Sequence, residues 1–258
     1  MNYPRWSASL LLRMRPAVLG QYVKKVLGWR RQVATVPEGR FWVDLASNFG
    51  LRVTSPNGYE PETARALTSL LLPGMVFVDL GANEGYFSVL ASRLVGRTGR
   101  VFAIEPQSRL TQVVLRNLEL NDATNVRLVD IAISDAAGVA EFNLAPDTNS
   151  GSSGLARATR YANPTQSVRT LTLGGFLDEY ALASVDVMKI DIEGFEYEAV
   201  LGSADVFRRQ RVRHLLIEIH EELLGKRKRR SADIVEFLLD CGYRRTSYAG
   251  FEVFISPS

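Results

Sequence analysis

Two periodicities divide the chain. From Val76 onward, short apolar runs alternate with amphipathic stretches of helical period. The runs Val76-Phe77-Val78-Asp79-Leu80, Arg100-Val101-Phe102-Ala103-Ile104, Val126 to Ile131, Val185 to Ile190 and Val212 to Ile219 are too short for buried helices. They suit strands covered on both faces. Between and after them the spacing predicts helices from Gly85 to about Leu94, Ser108 to Leu120 and Asp233 to Cys241. Alternating strand and helix predicts an α/β fold with a mostly parallel sheet and right-handed crossovers. Two last runs, Tyr243 to Ser247 and Phe251 to Ile255, flank Ala249-Gly250 and predict a C-terminal antiparallel hairpin.

Residues 1–60 do not follow this rhythm and are expected to form a small N-terminal cap or arm, with one main domain over 61–258. Within the cap, Arg40 to Asp44 and Gly50 to Val53 are expected to pair as a hairpin. Pro61 to Leu72 is read as a helix stopped by Pro73-Gly74. The first 31 residues mix Leu and Val with Arg13, Arg15, Lys24, Lys25, Arg30 and Arg31. They are read as a helical arm packed on the domain or a partner, with peripheral contact to a membrane surface as the alternative. Between the third and fourth strands, Val139 to Leu144 and Val168 to Leu173 are expected to pair. The polar, glycine-rich stretch between them reads as a lid or substrate loop.

Composition narrows the class. Of 258 residues, 46% are hydrophobic and 23% charged, which fits a globular chain rather than a disordered one. No apolar run reaches the ~20 residues of a membrane span, and no signal-peptide pattern is evident. The single cysteine, Cys241, rules out an intramolecular disulfide and a cysteine-rich zinc site, and a cytoplasmic setting is expected. Net charge is only +3, so basic residues matter only where they cluster, as in Lys226 to Arg230 and Arg208-Arg209-Gln210-Arg211.

Candidate chemistry sits at the carboxyl ends of the predicted strands. In Val78-Asp79-Leu80-Gly81-Ala82-Asn83-Glu84-Gly85-Tyr86, a glycine turn joins a strand to a helix. Asn83 replaces the middle glycine of a dinucleotide fingerprint. Asp79 would repel a pyrophosphate but attract the methionine ammonium of S-adenosylmethionine (SAM). Gly81, Ala82, Asn83, Gly85 and Tyr86 are therefore candidate cofactor contacts. Glu105 ends the next strand, where a carboxylate can accept from both ribose hydroxyls, and Pro106 follows it. Asp130 and Ala132 close the third strand and are candidates for the adenine. After the fourth strand, Asp191-Ile192-Glu193-Gly194-Phe195-Glu196 gathers carboxylates. Glu218 and His220 follow the fifth, on one face by alternation. Asp191, Glu193 and His220 are the catalytic candidates, with His220 a possible base. Asp191, Glu218 and His220 are an alternative divalent-metal set. Glu196 is read equally well as a first-turn helix charge.

These segments together resemble the FkbM family of SAM-dependent methyltransferases. The resemblance is carried by residues 78–88, Glu105-Pro106, Ala132-Ile133-Ser134-Asp135 with Gly138, Ser150-Gly151-Ser152-Ser153, and Lys189-Ile190-Asp191-Ile192-Glu193-Gly194-Phe195-Glu196. It spans about Met75 to His220 and implies a Rossmann-like class I sheet. It further implies O-methylation of a hydroxyl on a sugar, glycan or natural product. The expected partner is thus a small-molecule or glycan acceptor rather than nucleic acid; the oligomeric state stays open. The competing readings are an RNA-modifying methyltransferase using the basic clusters, a non-catalytic SAM-binding protein, and a NAD-dependent dehydrogenase, which Asn83 and Asp79 disfavour.

Overall fold

The computed structural model describes residues 30–156 and 164–257. The N-terminal arm expected before Arg30 therefore lies outside the described residues, as does the segment 157–163 of the polar loop. In chain order the elements are β1 (Gln32–Val36), β2 (Gly39–Val43), α1 (Asn48–Val53), α2 (Pro61–Leu70), β3 (Val76–Leu80), α3 (Tyr86–Val95), β4 (Arg100–Ile104) and α4 (Ser108–Leu120). There follow β5 (Val126–Val129), β6 (Ile131–Ile133), β7 (Gly138–Asn143), a 3₁₀ turn (Asp147–Ser152), β8 (Thr165–Leu171), α5 (Leu173–Glu179), β9 (Val185–Ile190), α6 (Glu196–Leu201) and α7 (Ala204–Arg208). The chain closes with β10 (Val212–Ile217), α8 (Glu221–Lys226), α9 (Ser231–Asp240), β11 (Arg244–Tyr248) and β12 (Phe251–Ile255).

Seven strands form one sheet in the order β11-β12-β10-β9-β3-β4-β5. All neighbours run parallel except β12, which is antiparallel to both β10 and β11. This is the mostly parallel α/β sheet with an antiparallel terminal hairpin that the sequence predicts. Strand alternation splits the core. Val78, Leu80, Met188, Ile190, Leu215 and Ile217 face a layer built with α5, α6, α7 and α9. Phe77, Val187 and Leu216 face α2, α3 and the hairpin β1-β2. Because successive side chains point to opposite faces, Asp79 and Lys189 share the second face, and they are register partners across β3 and β9. From β3 the chain winds outward through β4 and β5, then returns to the other side of β3 as β9. That reversal opens a crevice beyond the carboxyl ends of β3 and β9, where ligands of doubly wound sheets bind.

Three boundaries differ from the sequence reading, each for a local reason. The hairpin pairs β2 with Gln32–Val36, not with Gly50–Val53. Ser47 caps α1, its Oγ accepting from Gly50 N at 3.0 Å. A Cβ on Gly50 would sit 2.0 Å from the carbonyl oxygen of Asp44, so this segment coils tightly against the end of β2. The β1-β2 hairpin docks on α4 through asparagines: Trp42 N donates to Asn117 Oδ1 at 2.6 Å and Arg40 N to Asn121 Oδ1 at 2.8 Å. The third predicted strand ends at Val129, and Ile131–Ile133 leaves the main sheet to pair with β8 in a separate three-stranded sheet, β6-β8-β7. The fifth strand ends at Ile217, so Glu218 lies just past its end and His220 becomes the residue before α8. Among the described residues no helix is long and apolar enough to cross a membrane.

Candidate functional site

A cavity opens at the switch point. Its floor is the turn after β3. Gly81 N and Ala82 N both donate to Ile104 O at 3.0 Å, and Asp191 N donates to Leu80 O at 3.0 Å. Gly81 adopts φ +84°, and a Cβ there would lie 1.9 Å from Asp191 O. Glycine is thus required by the approach of the neighbouring acidic turn as well as by the sharp bend. Gly85, at φ +82°, instead lets α3 pack against Val114 of α4. It does not line the cavity.

One half of the cavity is shaped for a flat group and a diol. Ile131, Ala132, Ile133, Phe142 and Leu155 supply apolar walls. Glu105 is buried beneath them. Its Oε2 accepts from Asn83 N at 2.7 Å and its Oε1 from Gln107 N at 3.0 Å. These use two of the roughly four acceptor sites of a carboxylate. Burial raises the Glu105 pKa from 4.5 to about 7, against the lowering effect of the backbone hydrogen bonds from Gln107 and Asn83. The polar loop closes over this half. Ser150 Oγ donates to Asn83 Oδ1 at 3.0 Å, Gln107 Nε2 to Ser150 O at 3.2 Å, and Asn48 Nδ2 to Asn149 Oδ1 at 3.0 Å.

The other half is charged. Asp191, Glu193, Glu218 and His220 all line it, joined by Glu60 from the residue before α2 and by Lys189. His220 Nε2 faces Asp191 Oδ1 at 3.8 Å and Glu193 Oε2 at 3.9 Å. Its Nδ1 lies 2.8 Å from Oε1 of Glu196, which is fully buried and also accepts from Gly194 N at 3.0 Å. Glu196 is therefore the orienting partner of His220 and more than a helix-end charge. Burial alone would lower the His220 pKa. The Glu196 hydrogen bond and the charges of Glu196, Asp191 and Glu193 outweigh it and lift the value from 6.5 to about 9. Glu60, Asn83 and Glu193 are non-glycine residues with φ of 41°, 49° and 52°. Left-handed backbone of this kind costs energy, and here three instances border one cavity.

The raised value yields a test. Glu196→Gln should bring the His220 pKa down towards 6.5, read from the imidazole signals of the chain's two histidines across a pH titration. A histidine whose folded pKa is raised contributes stability below its unfolded pKa and loses it as pH rises through about 9. In the variant that loss should move to lower pH.

The structure separates the candidate residues. Gly81, Ala82, Asn83, Tyr86, Glu105, Pro106, Ala132, Asp191, Glu193, Glu218 and His220 line the cavity. Asp79 and Asp130 do not. Asp130 points to solvent, because the chain leaves the main sheet after Val129 and turns Ile131 and Ile133 inward instead. Asp79 is fully buried behind the turn, where its Oδ2 accepts from Ser88 Oγ at 2.7 Å. The metal set also divides. The ligand atoms that lie within 4.8 Å of one another are those of Asp191, Glu193 and His220, or of Glu60, Asp191 and Glu218. Asp191 belongs to both, and its Oδ2 also accepts from Lys189 Nζ at 3.0 Å.

Sequence reasoning missed Tyr59, Glu60 and Lys189. Only Lys189 carried a signal: a lysine inside an otherwise apolar buried strand. One residue of each basic cluster is held within the chain, while Arg208, Arg209, Lys226, Lys228, Arg229 and Arg230 are exposed. Arg227 stacks 3.9 Å from the Phe195 ring centroid and donates to Gly194 O at 2.7 Å and Glu198 Oε2 at 2.8 Å. Arg211 donates to Asp178 Oδ1 at 2.8 Å and Leu182 O at 2.8 Å.

The methyltransferase FkbM domain matches residues 79–245, well over half the chain. The chain belongs to the FkbM methyltransferase family. Its methyl donor is accordingly SAM. Among relatives, Methyltransferase sdnD of Sordaria araneosa is 29% identical over 180 residues, covering 58% of this chain and 68% of that protein. Ribosomal RNA large subunit methyltransferase E of Acinetobacter baumannii is 38% identical over 89 residues, 30% of this chain. The chain spans only 41% of the length of that second relative. A crystal structure of Methyltransferase FkbM from Methylobacillus flagellatus KT aligns with a TM-score of 0.43 at 17% identity, over 70% of this chain and 43% of that one.

Proposed function

We propose that this chain is an O-methyltransferase whose acceptor is a hydroxyl group of a small molecule or glycan. The acceptor hydroxyl is bound at the Asp191–His220 end of the cavity, with SAM in the half around Glu105. The observation that carries this reading is the continuity of the two halves. A buried carboxylate suited to a diol and a charged pocket suited to a hydroxyl meet across one glycine turn. Glu105 would accept from the ribose hydroxyls, the Gly81-Ala82-Asn83 turn would pass beneath the donor, and Ile131, Ala132 and Ile133 would flank the adenine. When bound, SAM supplies a methyl group already activated on a sulfonium, so the protein's share is largely positioning.

Asp191 receives the hydroxyl proton in this reading. His220 acts in this reading as a donor rather than a base, its Nε2 facing Asp191 Oδ1 at 3.8 Å and directed at the acceptor oxygen. Glu193 and Glu218 complete the wall. Burial, with the charges of Asp191 and Glu60, pushes the Glu218 carboxyl up. The internal engagement of Arg227 and Arg211 favours a small acceptor over RNA, because those guanidiniums are held against Glu198, Phe195 and Asp178. The experiment is transfer of isotopically labelled methyl from SAM to a panel of hydroxylated acceptors, with structured RNA run in parallel. Label on a sugar or small-molecule oxygen supports the reading; label on RNA alone overturns it.

A further inference from the structure

The sequence sets the charge of Asp79 against the methionine ammonium of SAM. The fold puts a different charge at that point of the cavity. Asp79 is buried and does not line the cavity, whereas its register partner Lys189 does, at 2% exposure. Lys189 Nζ donates one hydrogen bond, to Asp191 Oδ2 at 3.0 Å. Asp79 Oδ1 lies 4.0 Å away, beyond hydrogen-bond reach, and is itself buried without a partner. Among the described residues, two of the three ammonium N–H groups therefore have no acceptor. The face of Phe87, 5.2 Å from Nζ, closes one side.

A buried ammonium with undonated N–H groups is unfavourable by itself and favourable once a ligand oxygen arrives. The group stays charged. Burial pulls its pKa down, but Asp191, Asp79 and Glu60 together hold it well above the usual lysine range. We infer that Lys189 binds the carboxylate of the methionine portion of SAM. The inference rests on SAM occupying this cavity, and it assigns one end of the donor to one side chain. Methionine is a zwitterion at this end. With its carboxylate on Lys189, the carboxylates of Glu60 and Glu218 are left to meet its ammonium.

Decarboxylated SAM keeps the sulfonium, adenosine and ammonium and lacks only the carboxylate, so it isolates the contact. Calorimetric titration of the full chain should give SAM an advantage over decarboxylated SAM of about 10-fold or more, the scale of one charge-assisted hydrogen bond. Lys189→Met should erase that advantage, and Lys189→Arg should keep most of it. Binding of 5′-methylthioadenosine, a neutral thioether without carboxylate or ammonium, should be the same in all three proteins and reports that each is folded. A preference for SAM that survives in Lys189→Met overturns the inference while leaving SAM in the cavity. The same holds for a wild type that binds both donors equally. A wild type that binds neither overturns the inference together with the cavity assignment. A Lys189→Met protein that loses 5′-methylthioadenosine as well also counts against it, with a structural role for Lys189 as the replacement. No acceptor enters these titrations, so they do not depend on whether the methyl goes to a hydroxyl.

Discussion

Glu105→Gln should weaken SAM binding by about 100-fold or more, because two hydrogen bonds to a charged acceptor contribute ~3–6 kcal/mol together. The effect has two sources. The amide replaces one carboxylate oxygen by an NH₂ that must face the N–H of either Asn83 or Gln107, donor against donor. It also removes the charge that the ribose hydroxyls would meet. Calorimetry reads the first loss. A thermal melt reads the accompanying destabilisation, since each kcal/mol shifts Tm by ~2–4 °C at this chain length. The pH dependence follows from the raised pKa of about 7. An acid whose folded pKa is raised holds its proton more tightly when folded. Its stability contribution is present below the usual 4.5 and lost as pH rises through about 7. SAM requires the ionised form, so affinity should climb between pH 6 and 8 and then level off. Glu105→Gln should remove that climb. A flat profile in the wild type would contradict the role given to Glu105.

Asp191→Asn should reduce kcat by ~10²–10⁴-fold, the range for losing a positioned proton acceptor. SAM affinity should change by only a few-fold. Asparagine keeps the shape and can still accept from Lys189 through its amide oxygen, so the turn after β9 is preserved. Single-turnover transfer to the acceptor found in the labelling screen separates the two quantities. Equal losses in binding and turnover would instead make Asp191 a binding residue, and the proton would then have to pass to Glu193 or Glu218.

The elements that were legible in the sequence are those whose pattern is set by the main sheet. Val76–Leu80, Arg100–Ile104, Val185–Ile190 and Ser108–Leu120 occur as read, because each is bounded by turn residues and buried by a regular period. The site was legible where chemistry coincides with a strand end, as at Gly81, Glu105 and Asp191. It was illegible where tertiary contacts decide. Nothing in the residues around Gly50 announces the Ser47 cap and the close contact with Asp44 that turn a possible strand into α1. Asp130 stands one residue beyond Val129, but β6 leaves the main sheet there and Asp130 is exposed while Val129 and Ile131 face the core. Glu60 lies 131 positions from Asp191 in sequence and reaches the same cavity only because α2 packs on α3. Lys189 was visible in the motif, but its exchange of place with Asp79 depends on the register between β3 and β9, which no single strand reveals.

Every role assigned above follows from the methyl donor binding in the crevice between β3 and β9. A crystal structure of the chain with S-adenosylhomocysteine tests it most directly. The ribose should lie on Glu105, the adenine among Ile131, Ala132 and Ile133, and the sulfur should point towards Asp191 and His220. Ligand ordered elsewhere, or in this cavity with its ribose away from Glu105, would contradict it.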